Sequence, residues 1–199
     1  MAKVLVLSGG LSEKEKSYSS QMLDLFVKTY KEVHPNDELE FVDLNTTKHA
    51  EVFLSRNTFA TYWKDVESDK WIDKLKAADK VILSCSMTNF GPTAVVKNFI
   101  DSVAVANKTF SYKYSKKGDA VGLLDHLRVM IVTTQGAPKD WYLWGSHTNW
   151  LIGTWKFLGA KYVDTFELNG TKLSVFADKK PYDVVEEFRQ DALEKAKQF

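Results

Sequence analysis

Residues suited to chemistry gather at separate places along the chain. Ser17-Tyr18-Ser19-Ser20 stands where a helical pattern begins. The unpaired N–H groups and dipole of a helix N-terminus favour an anion, and serine hydroxyls add donors. A phosphomonoester fits there, and so does plain capping by Ser17. Met87-Thr88-Asn89-Phe90 follows a strand-like run. Its amide, hydroxyl and N–H groups can hold the polar edge of a flat ring while Met87 and Phe90 cover part of a face. The competing reading buries Met87 and Phe90 in the core. Thr133-Thr134-Gln135-Gly136-Ala137 offers further N–H groups to the same ring, or merely closes a turn. None of these stretches carries a charge, which points to a ligand held by neutral donors.

Other chemistries are excluded or disfavoured. The first strand is followed by neither G-x-G-x-x-G nor G-x-x-x-x-G-K-[ST], so no Rossmann dinucleotide site or P-loop is expected there. Cys85, the only cysteine, lies within an apolar run and reads as a core residue rather than a nucleophile. The histidines show no metal-ligand spacing, so no metal is expected. His147 lies close to the third loop and is a candidate ligand contact. Trp141, Trp144, Trp150 and Trp155 crowd one stretch; core and subunit interface are favoured over an aromatic wall for a flat substrate. Lys plus Arg is 27 against 26 for Asp plus Glu, a net charge of +1, so neither nucleic acid nor a membrane surface is an expected partner. No apolar stretch has the length of a membrane span. The first strand-like run begins at Lys3, leaving no room for a signal peptide, and a cytoplasmic protein is expected.

These segments need a scaffold. Apolar runs at 3–8, 80–86 and 127–134 read as buried strands, with a half-covered strand at 39–44 and a further strand near 161–168. Helical spacing appears at 17–33 (Leu23, Phe26, Val27, Tyr30) and at 68–78, where Ser68 can cap and Trp71, Ile72 and Leu75 face one way. A further helix follows Pro92, which suits a first turn, and carries Val95, Val96, Phe99, Ile100 and Val103. The stretch 46–69 reads as an irregular, helix-containing aromatic excursion. Thr109–Tyr112 is a short aromatic segment before a Lys/Gly loop, and 171–176 is a candidate for local pairing. Pro181 opens a terminal helix with Val184, Val185, Phe188, Ala192 and Leu193. No linker or repeat divides residues 1–199, so a single domain is expected. Buried strands alternating with amphipathic helices imply an α/β fold: a doubly wound sheet of about five parallel strands with helices on both faces. Ligands of such sheets bind at the C-terminal strand ends, where strand order reverses.

In this order the residues resemble a known family, the FMN-dependent NADH-azoreductases, which are flavodoxin-like homodimeric NADH:quinone oxidoreductases. Lys3-Val-Leu-Val-Leu7 is similar to the family's opening strand. Ser17-Tyr18-Ser19 resembles its S-x-S phosphate segment. Met87-Thr88-Asn89-Phe90 with Lys97-Asn98-Phe99-Ile100-Asp101 resembles its M-Y-N-F…K-N-Y-F-D region, and Thr109-Phe110-Ser111-Tyr112 its T-F-x-Y segment. Thr133 to Ala137 stands where the family has T-S-R-G-G. Thr88, Gln135 and Ala137 depart from the family's Tyr, Arg and Gly. The resemblance implies a ping-pong flavoenzyme passing two electrons from NADH through FMN to quinones or azo compounds. It implies phosphate contacts at Ser17, Tyr18 and Ser19. Ring contacts fall at Met87, Thr88, Asn89, Phe90, Thr134, Gln135, Gly136 and Ala137, and a substrate contact at Phe110. No side chain is expected to act as catalytic acid or base, because the flavin carries the chemistry. An electron-carrying flavodoxin and a cofactor-free binding module are the rival readings.

Overall fold

A computed structural model describes residues 1–113 and 120–199. The expected Lys/Gly loop after Tyr112 lies largely outside them. In chain order the elements are β1 (Lys3–Ser8), α1 (Tyr18–Val33), β2 (Glu38–Asp43), α2 (Tyr62–Asp65), α3 (Ser68–Ala77), β3 (Lys80–Ser86) and α4 (Ala94–Val103). Then come β4 (Phe110–Ser111), β5 (Val121–Gly122), β6 (Arg128–Gln135), α5 (His147–Phe157), β7 (Tyr162–Asn169), α6 (Pro181–Glu186) and α7 (Arg189–Gln198). A five-stranded sheet runs β2-β1-β3-β6-β7, with every pair parallel. This is the expected doubly wound, flavodoxin-like order.

Strand alternation decides which helices lie on which face. Val4, Val6, Ile82, Met130, Val132 and Phe166 pack with α1, α6 and α7. Leu5, Leu7, Val81, Leu83, Cys85, Val129 and Ile131 pack with α3, α4 and α5. Each large apolar side chain so buried contributes about 1.5–3 kcal/mol, and both faces must be covered for the central strands to be satisfied.

Several local expectations are corrected. Ser68 does not cap α3: Glu67 takes that place at φ +56, and the Ser68 hydroxyl donates instead to the Ser102 carbonyl at 2.6 Å. Pro92 lies outside α4, which begins after Thr93; the Thr93 N–H to Cys85 Sγ and Thr93 hydroxyl to Gly9 carbonyl bonds hold that residue extended. The tryptophan-rich stretch contains α5. Residues 171–176 form no strand; they end in a single 3-10 turn at Ser174–Phe176. The terminal helix is two helices, broken at Glu187–Phe188. Thr109–Tyr112 holds β4, which pairs antiparallel with β5.

Candidate functional site

The strand order reverses beside β1, and its C-terminal end opens toward α1 and β3. Gly9 donates its N–H to the Ser84 carbonyl at 3.0 Å and accepts the Thr93 hydroxyl at 3.0 Å. No side chain fits at Gly9, because a Cβ would stand 2.1 Å from Val96 Cγ2. Gly10 differs. A Cβ there would lie 3.2 Å from both Ser19 Oγ and Ser20 Oγ, and 3.8 Å from Ser17 Oγ. Gly10 thus faces a cradle of hydroxyls at the start of α1. Asn45, just past β2, steadies it by donating its side-chain N–H to the Gly10 carbonyl at 2.7 Å.

Ser17 satisfies capping, and the Ser17–Ser19 pair keeps a donor. Its Oγ accepts the Ser20 N–H at 3.2 Å and lies 3.1 Å from Ser19 Oγ. One hydroxyl proton serves that Ser17–Ser19 contact, so another remains to point at a ligand. Ser19 is fixed from below, its carbonyl accepting the Ser84 hydroxyl at 3.1 Å. Tyr18 sends its ring toward the α1/α7 core, leaving its backbone at the cradle.

Past β3 the chain makes a tight turn. Thr88 and Gly91 exchange N–H to carbonyl bonds at 2.9 and 3.1 Å, with Asn89 at φ +46 and Phe90 at φ +73 between them. Two left-handed residues in succession make a type I′ turn, which suits Asn first but ordinarily Gly second. A phenylalanine there costs about 1–2 kcal/mol of backbone strain. Met87 is half-buried and Phe90 is 39% exposed, so the core reading of this loop fails. Among the described residues the Asn89 and Phe90 N–H groups have no acceptor. The Met87 N–H donates to the Thr134 carbonyl at 2.8 Å and joins this turn to the β6 loop.

The β6 loop turns its donors outward. The carbonyls of Gln135, Gly136 and Ala137 accept from Thr171, Lys172 and Gly170. The Gly136 and Ala137 N–H groups have no acceptor among the described residues. The Gln135 side chain folds back onto the Ala137 and Pro138 carbonyls at 3.1 and 2.8 Å. Thr134 is buried, so its contribution is its carbonyl and position rather than an open hydroxyl.

The remaining candidates separate. Cys85 is fully buried and burial pushes its thiol up to about 11, which fits a core residue. His147 opens α5 but is 1% exposed; burial pushes it down to about 4, with the Cys85 backbone and Glu167 pulling weakly the other way. Phe110 packs on Phe157 with ring centroids 4.9 Å apart. Phe157 ends α5, whereas the site lies at the start of that helix, so one chain alone does not bring Phe110 to the loops. Trp155 is core and Trp150 half-buried, but Trp141 and Trp144 are exposed. Among the described residues no group of three or more His, Cys, Asp or Glu converges as a metal ion requires. No described helix is long and apolar enough to cross a membrane.

A family model described as a flavodoxin-like fold matches residues 2–194. An FMN-dependent NADH:quinone oxidoreductase of Malacoplasma penetrans is 48% identical over 199 residues, covering all of this chain and 94% of that protein. FMN-dependent NADH:quinone oxidoreductase 1 of Mesoplasma florum is 44% identical, with both chains fully covered. The chain belongs to this oxidoreductase family. A solved azoreductase from Bacillus anthracis superposes with a TM-score of 0.84 at 23% identity over the whole of both chains. An FMN-dependent NADH-azoreductase of that species, solved with FMN, gives 0.78 at 21%, covering 100% of this chain and 99% of the other. These two share the fold.

Within this family member, some residues that border the candidate site are not evident from local sequence. Asn45 was discoverable, because it follows a strand's C-terminal end, where ligand loops gather. Tyr142 and Trp144 meet Phe90 only through tertiary structure, at centroid distances of 4.9 and 4.5 Å.

Proposed function

We propose that this protein is an FMN-dependent NADH:quinone oxidoreductase and azoreductase working by a ping-pong exchange of NADH for a quinone or azo acceptor. The names of its full-length relatives support the reading. The observation that carries it is the Gly10 cradle, where three serine hydroxyls surround a position without a side chain, while the loops after β3 and β6 hold N–H groups with no acceptor among the described residues.

The donor set fits FMN. Ser17, Ser19 and Ser20 hydroxyls, with the N–H groups of Gly10 and the first turn of α1, hold the phosphate without any cation. Thr88, Asn89 and Phe90 meet the ring's polar edge, with Met87 packed beneath. Gly136 and Ala137 donate N–H groups toward the pyrimidine end, with Thr134 and Gln135 setting that loop. Aimed there, they favour negative charge. Bound FMN supplies the hydride acceptor and donor, and the chain's work is to bind, orient and leave one face open. A cytoplasmic homodimer of single-domain chains completes the reading, with Phe110 walling the acceptor pocket of the other copy.

The test is a visible spectrum of the purified protein with and without FMN, then NADH under nitrogen, then a quinone. A flavin band that bleaches and returns supports the proposal. Absence of a band and of any thermal shift with excess FMN rejects it.

A further inference from the structure

The loop after β6 carries aromatic surface that the core does not use. Trp144 is 74% exposed and Trp141 67% exposed. Exposed indoles at the mouth of a site call for an occupant. Trp144 is nevertheless held in place. Its ring centroid lies 4.5 Å from Phe90 and 6.0 Å from Tyr142, and Phe90 meets Tyr142 edge-on at 4.9 Å. Three rings from two loops therefore form one cluster at the C-terminal edge of the sheet.

The cluster is accommodated at some cost to the backbone. Phe90 occupies a left-handed position, φ +73, that its turn assigns to glycine or asparagine. Strain of this kind persists where surroundings over-determine it, and it gathers at ligand clamps. Gly145 makes room on the other side: a Cβ there would stand 2.8 Å from Phe90 Cβ. Asp140 also takes a left-handed conformation, φ +63, where the loop leaves Lys139. Both loops are thus bent so that Phe90, Tyr142 and Trp144 touch, while most of the indole stays open.

We propose that Tyr142 and Trp144, braced by Phe90, form a specificity wall on which acceptors with fused aromatic rings stack. The proposal rests on the reading of the Thr88–Gly91 turn as the flavin edge. The wall is continuous with that turn through Phe90 itself. An indole is an electron-rich face, and quinones and azo-linked aryl rings are flat and electron-poor, so offset stacking suits the pair. A two-ring acceptor gains more from the wall than a one-ring acceptor. The wall therefore sets acceptor choice rather than the rate of electron delivery.

The experiment uses the FMN-loaded protein, with Trp144→Ala, Tyr142→Ala and the conservative Trp144→Phe. Leu143→Ala, in the same loop but outside the cluster, is the control. KM and kcat are measured for 1,4-naphthoquinone and 1,4-benzoquinone, and calorimetry measures binding of the non-reducible naphthalene-2-sulfonate. Loss of one aromatic partner is expected to raise the naphthoquinone KM about five- to ten-fold in Trp144→Ala and to weaken naphthalene-2-sulfonate equally. The benzoquinone KM should move less than about two-fold, and Trp144→Phe should recover most of the loss. Equal effects on both quinones, or no effect on either, overturn the proposal. A change in subunit association without altered selectivity assigns the patch to a second copy and also overturns it. If the wild-type protein lacks a flavin band, the oxidoreductase reading fails first; a flavin band with unselective variants sinks only the wall.

Discussion

Ser17 Oγ stands 3.1 Å from Ser19 Oγ and also accepts the Ser20 N–H, so one atom both caps a helix and borders the hydroxyl cradle at Gly10. Substitutions separate these roles. Ser17→Ala should lower stability by about 1 kcal/mol through loss of the cap and weaken FMN as well. Ser17→Asp keeps a cap but sets a carboxylate against a phosphate. It should retain the apo melting temperature and lose FMN binding by about a hundred-fold or more, since bonds to charged groups are worth roughly 1.5–3 kcal/mol before repulsion is added. Equal FMN affinity in Ser17→Asp and wild type would leave Ser17 a cap alone.

The two glycines after β1 should respond in opposite ways. Gly9→Ala drives a methyl to 2.1 Å from Val96 Cγ2 and 2.8 Å from the Ser84 carbonyl, both inside the packed fold. Overpacking of this kind costs about 1–3 kcal/mol, so thermal melting of the apo protein should fall. Gly10→Ala meets only serine hydroxyls, at 3.2 Å and beyond. Its melting temperature should stay near wild type while flavin affinity drops by about ten-fold or more, as the methyl occupies the cradle and replaces a polar contact. Calorimetry on both variants checks the contrast.

Asn45 tests whether the cradle must be held still. Its side chain donates to the Gly10 carbonyl at 2.7 Å and to Asp43 at 2.9 Å. Asn45→Ala removes about 0.5–1.5 kcal/mol of hydrogen bonding from an exposed loop, so FMN should bind about three- to ten-fold more weakly, with most of the change in its off-rate. An unchanged off-rate in stopped-flow release would show that Gly10 is positioned without it.

The contrast with sequence is local against long-range. β1, β3 and β6 were legible because strands buried on both faces read as continuous apolar runs. α1 and α4 were legible because their buried residues recur at helical spacing. α5 was hidden: its buried stripe is His147, Thr148, Leu151 and Trp155. Polar residues in the stripe and Gly153 in the middle weaken the apolar period and helix propensity. The break between α6 and α7 has no Gly or Pro to announce it. In the candidate site, the Ser17–Ser19 and Met87–Phe90 segments stand out by residue type at an element's end. That Met87 and Phe90 stay out of the core, and that Tyr142 and Trp144 reach Phe90, depends on contacts between distant segments that no local period encodes.

Two buried histidines give the protein a predictable acid limit. His49 is fully buried, with Nδ1 3.0 Å from Thr47 Oγ1 and Nε2 2.9 Å from Ser102 Oγ. Burial pushes it down to about 4, and His147 likewise to about 4. Both are neutral when folded and titrate near 6.5 when unfolded, so the unfolded chain binds more protons between those values. Stability is then full above about pH 6.5 and declines toward pH 4, at up to about 1.4 kcal/mol per pH unit for each histidine. The two differ in what replaces them. His147 faces the Cys85 backbone, and neither of its ring nitrogens makes a well-formed hydrogen bond among the described residues. His147→Leu therefore removes a weakly compensated polar group, and should leave stability at pH 7.5 near wild type or higher while halving the acid slope. His49→Leu removes two hydrogen bonds, to the Ser102 and Thr47 hydroxyls, which keep the Phe99 and Leu44 carbonyls as acceptors; it should lose about 1–3 kcal/mol at pH 7.5. Urea unfolding of the apo protein between pH 7.5 and 5 measures both slopes. A loss above about 2 kcal/mol in His147→Leu at pH 7.5 would mean that the imidazole is held by a partner after all.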